Sequence, residues 1–523
     1  METILLTDRD DLPPAQPPVA PRSPSHDLAV QRAAAAALVL GVAGDSLLRS
    51  GASGVGFTLF VLLVLGALAA LTRAWRRPWT LGACLLLLPT LFFAASVSWR
   101  DSAPLAFFNV VALLASLAAL ATALMRGESW EPASSVGDYL RAAVRVAGHT
   151  AFGAPFLMRD ADATRDAVGP GRLRHAGAVA RGAAIAVPLV LVFGSLLSAA
   201  DPHFERLVRL VVDVDFGVVA SHVTLAMFVA WVAAGYMRSV LTPPGPPARQ
   251  ALTFDLSLGV VEVGLVLGAL DALFLAFVVV QVQYLFGGAA HVVTNAGVTY
   301  AEYARRGFFE LVWVAALALP TLLGADALLR RTGKRDERIF RALAGALLLL
   351  LGVVMLSAMQ RMSLYQQAYG LTASRLYASA GMAWLAIVFA LFAATVLRGR
   401  RAPFAFGALV SAWAIVALLD LASPDAVVAR TNLERARRGE RFDADYLAGL
   451  SADATPDLLR GVGRLAPAAR CQLVAGLLPR PAREPDWRGW NIGRARGDRA
   501  LRAHRPELAS YACPTVRPSS APT

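Results

Sequence analysis

The chain has 523 residues, 56% of them hydrophobic and only 17% charged. A soluble protein of this length carries roughly a quarter charged residues. Here Leu, Ala and Val fall in long blocks, which excludes one large soluble core and indicates membrane spans. The formal net charge of +13 does not point to nucleic acid: the Arg residues flank apolar blocks, where they set topology, and no basic stripe with interleaved aromatics is present.

Residues 1–28 open with an acidic, Pro-rich stretch (DRDDLPPAQPPVAPRSPS) and are expected to form a disordered cytoplasmic tail. They lack the basic segment and short apolar core of a cleaved signal peptide. The transmembrane helical domain is expected over 29–422. Eleven spans are predicted, at 29–48, 55–72, 79–97, 104–125, 176–200, 216–237, 256–283, 308–329, 342–360, 376–397 and 402–422. Each is near the ~20 residues that cross a bilayer, except the longer seventh, which would tilt or project.

Arg in the short loops sets the orientation. Arg73, Arg76 and Arg77 follow span two. Arg126, Arg141, Arg145, Arg159, Arg172 and Arg174 follow span four. Arg330, Arg331, Lys334, Arg335, Arg338 and Arg341 follow span eight, and Arg398, Arg400 and Arg401 follow span ten. Alternating spans put all of these on one side, the cytoplasm. The N-terminus is then inside and the C-terminal part outside. Arg305, Arg306, Arg361 and Arg375 fall on the outer side.

Two loops have amphipathic patterns. VGDYLRAAVRVAGHTAF, from Val136, is predicted as an interfacial helix. DPHFERLVRLVVDVDF has Asp201 to cap it and Pro202 at its first helical position. TPPGPPA at Thr242 is a stiff turn. Span nine is expected to continue past the lipid as QRMSLYQQAYG. Ser357, Arg361, Tyr365 and Tyr369 recur every fourth residue on one face, Gly370 stops the helix and Thr372 caps the next.

From Ser423 the chain turns polar. Helix starts are predicted at Ser423-Pro424-Asp425 and Thr455-Pro456-Asp457, giving a small all-α extracytoplasmic domain over 423–510 and a disordered tail over 511–523. The three cysteines are Cys84, Cys471 and Cys513, with no CxxC, which excludes zinc ribbons and thioredoxin-like motifs. Cys471 and Cys513 both fall in the expected oxidising compartment, where they are a candidate disulfide.

Two groups carry candidate chemistry. Within the apolar seventh span lie Glu262 and Asp271, nine residues apart and so about half a turn out of phase. Glu262 is shallow. Asp271 is near mid-bilayer, where an acid either couples to a proton or cation or fixes helix packing. The outer loops gather His291, Tyr300, Glu302, Tyr303, Arg305, Arg306, Arg361, Tyr365, Tyr369 and Arg375. From this group Glu302, Arg305, Arg306, Arg361, Tyr365, Tyr369 and Arg375 form a candidate substrate site. Arg with Tyr suits an anionic headgroup, phosphate or sugar polymer; the bland alternative is an interfacial belt. His203, His222 and His291 lack metal-ligand spacing. GxSxG, HExxH and the GxxxxGK[ST] phosphate loop are absent, so no enzyme signature and no cofactor is expected.

FGSLLSAADPHFERL, QVQYLFGG, TYAEYARRGFFELV, RMSLYQQAYGLTASRLYA, ADYLAGLS and DWRGWNIGRAR resemble the bacterial multi-pass membrane proteins grouped as domain of unknown function 4153 or 4173, over Tyr139 to Arg502. The resemblance implies a membrane fold with a C-terminal soluble part and supplies no catalytic residues. The expectation is therefore an all-α polytopic protein of the bacterial inner membrane. It would be permease-like, handling an anionic or lipid-linked envelope substrate at its outer face. The rivals are an envelope transferase and a sensor or scaffold that binds a partner through its outer domain.

Overall fold

The structure is a computed structural model that describes residues 24–49, 54–75, 78–126, 136–166, 216–241, 257–286, 308–440, 442–478, 486–511 and 513, with scattered positions between 182 and 203. Among these the protein is helical, without strands. The helices are α1 (Pro24–Leu48), α2 (Val55–Ala74), α3 (Leu81–Trp99), α4 (Ala103–Arg126), α5 (Val136–Asp166), α6 (Phe216–Leu241), α7 (Val260–Phe286), α8 (Phe308–Leu328), α9 (Lys334–Tyr369), α10 (Ala373–Thr395) and α11 (Ala402–Ala422). After them come α12 (Pro424–Arg437), α13 (Ala444–Ala448), α14 (Thr455–Val462), α15 (Pro467–Leu477) and α16 (Ile492–Ser510).

Ten of the described helices, α1–α4 and α6–α11, are long and apolar enough to cross a membrane. They match ten of the eleven expected spans. The remaining one, the fifth at 176–200, lies largely outside the described residues, as does the turn at Thr242. The loop helix expected after span five also lies largely outside the described residues; at its expected start the His203 N–H donates to Asp201 Oδ1 at 2.7 Å. Large apolar side chains such as Leu38, Leu88, Val261, Leu265 and Leu349 are exposed on the spans. Such surface is tolerable in lipid and not in water. The protein is thus a multi-pass integral membrane protein.

Local signals explain several boundaries. The α9 helix ends where Gly370 takes φ +80°, a left-handed value that favours glycine. Thr372 then caps α10 at the Arg375 N–H, and Thr80 caps α3 at the Ala83 N–H. The α5 helix differs from expectation by running on past Phe152 to Asp166. The helix packs along α6: Trp231 Nε1 donates to the Ala151 carbonyl at 2.7 Å, and in the extension Asp160 pairs with Arg238.

The spans form two halves. One core joins α2, α3 and α4 through Leu68, Leu86, Phe93 and Leu120, with Tyr236 of α6. The other joins α7 to α10 through Leu267, Leu322, Leu347 and Phe392. The α11 helix is the seam: its Trp413 packs into the first core and its Phe404 into the second. The C-terminal helices build a third core around Val428, Leu447, Leu458, Leu473 and Leu508. Cys471 and Cys513 form a disulfide across it, with Cα atoms 5.4 Å apart.

Candidate functional site

The C-terminal helices cover one end of the bundle, called here the roofed face. Side-chain contacts show which helix ends share it. Arg435 of α12 donates to the Gln367 carbonyl of α9 at 2.7 Å and pairs with Glu440 at 2.8 Å. Asn432 brackets Leu371 in the α9–α10 turn, donating to its carbonyl at 2.7 Å and accepting its N–H at 3.2 Å. The Tyr446 hydroxyl accepts the Ala373 N–H at 2.8 Å. RMSLYQQAYGLTASRLYA and ADYLAGLS, two of the stretches carrying the family resemblance, therefore meet each other.

Part of the expected substrate site lies under this roof. Arg361 Nη2 donates to Gln281 Oε1 of α7 at 2.8 Å, and Ser357 Oγ reaches the same oxygen at 3.3 Å. Ser357 and Arg361 share one face of α9, as their spacing predicts. One turn on, Tyr365 packs edge-on against Tyr369, with centroids 5.3 Å apart. The Arg375 guanidinium lies 3.9 Å over the Tyr365 ring and donates to the Gly370 carbonyl. No carboxylate among the described residues pairs with Arg375. Glu302, Arg305 and Arg306 lie outside the described residues, as do His291, Tyr300 and Tyr303. The structure thus joins Arg361, Tyr365, Tyr369 and Arg375, and adds Gln281, which periodicity alone could not select.

The two acids of α7 differ. Glu262 is in the first turn and accepts the Gly259 N–H, as an N-terminal acid is placed to do. Asp271 is twelve residues into the helix, and neither of its carboxylate oxygens has a hydrogen-bond partner.

A second polar cluster, which sequence reading missed, holds the roof to α3, α4 and α11. Asn491 is buried and caps α16 at the Arg494 N–H. Its amide donates to the carbonyls of Val97 and Arg100, at 3.0 and 2.9 Å. Arg494 pairs with Asp101 at 2.9 Å. Asp101 and the Ala452–Ala454 turn exchange bonds: the Asp101 N–H donates to Asp453 at 2.8 Å, and the Ala452 N–H donates to Asp101 at 3.2 Å. A Cβ at Gly493 would collide with Asp453, so only glycine lets α16 approach this closely. Arg100 stacks 4.1 Å over Trp99 and donates to the Asp420 carbonyl at 2.7 Å. Burial pushes the Asp453 carboxyl up to about 6 and lowers the Arg100 guanidinium from its usual value. The only sequence clue was the stretch DWRGWNIGRAR; its partners lie almost four hundred residues upstream.

The opposite face is simpler. Asp326 of α8 is buried and takes both Arg331, at 2.7 Å, and Arg401, at 2.7 and 3.0 Å. Leu258 exchanges backbone bonds with Leu328 and Arg330, both at 2.8 Å, tying the entry of α7 to the exit of α8.

Fold and contacts together define a polytopic α-helical membrane protein whose C-terminal helices are docked on one face. The model of one family, described as Domain of unknown function (DUF4153), matches residues 83–461, and the chain belongs to that family. The match starts within α3, upstream of the stretches quoted above, and stops before Asp486. No curated protein and no solved structure matches the chain.

Proposed function

We propose that this is a permease-like protein of the bacterial inner membrane that handles an anionic or lipid-linked envelope substrate at its extracytoplasmic face. The observation that supports it is the meeting of Arg361, Tyr365, Tyr369 and Arg375 at the roofed face. Arg375 is held by a ring and a carbonyl, which leaves its charge for an anion. The proposed site also takes in Glu302, Arg305 and Arg306, which fall between α7 and α8 in the sequence. Asp271 would couple a proton or cation to substrate movement.

Two features favour the roofed face as the outer one. The opposite face carries the Arg-rich loops, and such loops stay in the cytoplasm. The roof holds the Cys471–Cys513 disulfide, and disulfides persist in oxidising compartments. In this reading residues 29–422 form the membrane domain and 423–510 the extracytoplasmic one. A reporter active only in the cytoplasm should work after Arg331 and stay silent after Ser451; activity at Ser451 would overturn the orientation.

The site is tested by complementation of a deletion strain profiled for envelope lipids and polymers. Arg361→Lys and Tyr365→Phe nearly keep charge and volume while removing the fork and the hydroxyl. Both variants should accumulate normally and lose most of the function. Full complementation by both would make the cluster structural. A sensor or scaffold is the second reading, favoured by Trp487 and Trp490, which stand exposed on the roof. It expects Arg361→Lys and Asp271→Asn to be tolerated and removal of the roof to abolish function.

A further inference from the structure

The most incompletely bonded buried group in the polar cluster is on α11, the seam helix. Asp420, Asn109 and Ser96 are all fully buried. They come from three helices that share the roofed end. The Asn109 amide donates to Asp420 Oδ1 at 2.9 Å. The other carboxylate oxygen, Asp420 Oδ2, has no hydrogen-bond partner, and neither has the Asn109 amide oxygen. The buried Ser96 hydroxyl, which makes no other hydrogen bond, is close enough to the Asp420 carboxyl to act on it. Such orphaned oxygens are costly when buried, and both belong to the two side chains joined by the Asn109–Asp420 bond.

Charged groups of both signs surround them. Asp420, Asp101, Asp453 and Asp425 face Arg100, Arg494 and Arg496 across the α3–α4 turn, α11, α12, the Ala452–Ala454 turn and α16. The Tyr377 hydroxyl of α10 lies 3.3 Å from the Ser102 hydroxyl in the α3–α4 turn. Arg100, the nearest guanidinium, spends its bonds on the carbonyls of Asp420 and Leu421 and makes none to the carboxylate.

We propose that Asp420, Asn109 and Ser96 bind one monovalent cation, a proton or a sodium-sized ion, under the roof. The donor set is all oxygen with one carboxylate at its centre, which suits a single positive charge; divalent ions recruit several carboxylates or waters. A proton on Oδ2 would pair with the Asn109 amide oxygen and close an acid–amide ring. A sodium-sized ion would take the same two oxygens with the Ser96 hydroxyl. The site is independent of the substrate reading at Arg361 and Arg375, which lie on other helices.

The test uses the full chain in lipid nanodiscs at about pH 7.5, where an ordinary carboxyl is ionised. Sodium chloride is exchanged for choline chloride at constant ionic strength while the melting temperature is read. Infrared spectra report protonated carboxyl groups in parallel. For a sodium-sized ion, sodium raises the melting temperature of the wild type and leaves Asp420→Asn unchanged. For a proton, the wild type shows a protonated-carboxyl band that Asp420→Asn lacks, with no sodium effect. Neither difference between the two proteins overturns the proposal. Should Asp420→Asn fail to accumulate, Ser96→Ala replaces it. It should raise the half-effective sodium concentration severalfold or shift the carboxyl band, and no change in either overturns the site.

Discussion

The two faces of the bundle each bury a carboxylate close to arginine, and they treat it in opposite ways. On the bare face Asp326 is held by two guanidiniums, one of them bidentate. On the roofed face Asp420 receives one amide bond, and Arg100 turns to the backbone instead. Full pairing is what a structural clamp needs, because a buried charge is tolerable only when compensated. Under-pairing without a ligand would be a defect, so it marks the place where a ligand is expected. The lesson is that proximity of Arg and Asp does not define a role. What the guanidinium bonds to does.

Breaking the disulfide should separate the faces most strongly. Cys471 and Cys513 close a loop of 42 residues, for which the chain-entropy model gives about 4 kcal/mol. Reduction, or Cys471→Ser, should make the roof susceptible to limited proteolysis while α7–α11 stay protected. Equal protection of the roof before and after reduction would show that its core and polar bonds suffice.

Asp326→Ala should come next, at about 3 kcal/mol. That is the low end for a broken buried pair, because both arginines are about one-third exposed and water offsets part of the loss. The loss should appear in thermal unfolding of the bundle, without change in proteolysis of the roof. Asn491→Ala should cost about 2 kcal/mol, since it removes an N-cap and orphans the carbonyls of Val97 and Arg100. Its signature is the reverse: the roof is cut faster and the bundle melts almost as before.

Spans and caps were legible because they depend on local pattern. Apolar runs gave ten of the helices, Gly370 and Thr372 marked a stop and a start, and the four-residue spacing put Ser357, Arg361, Tyr365 and Tyr369 on one face. The polar clusters were not legible. Asn109 and Asp420 are 311 residues apart, and no spacing or motif singles out either one. Arg331 and Arg401 read as topology markers, which left their second role, holding Asp326, unseen. Residue type and spacing report the helix a side chain occupies, whereas these partners are set by how helices from both halves meet at α11.

Asp453 gives the subtlest contrast, because it has no counterpart on the bare face. Burial lifts its carboxyl from 3.8 to about 6 in the folded protein. Between those values the folded state holds a proton that the unfolded chain releases, so this group's contribution to stability grows as pH falls through about 6 and levels off below 3.8. Above about 6 both states are ionised and the contribution is constant at its least favourable value. Asp453→Asn mimics the neutral form at every pH and keeps an oxygen to accept the Asp101 N–H. At neutral pH the variant's roof should therefore be as stable as the wild type or slightly more so. On acidification the wild type should gain on the variant and draw level. Subtracting the two unfolding curves removes the carboxylates they share, including Asp326. If the difference stays flat with pH, Asp453 titrates as an ordinary carboxyl and its burial costs the roof nothing.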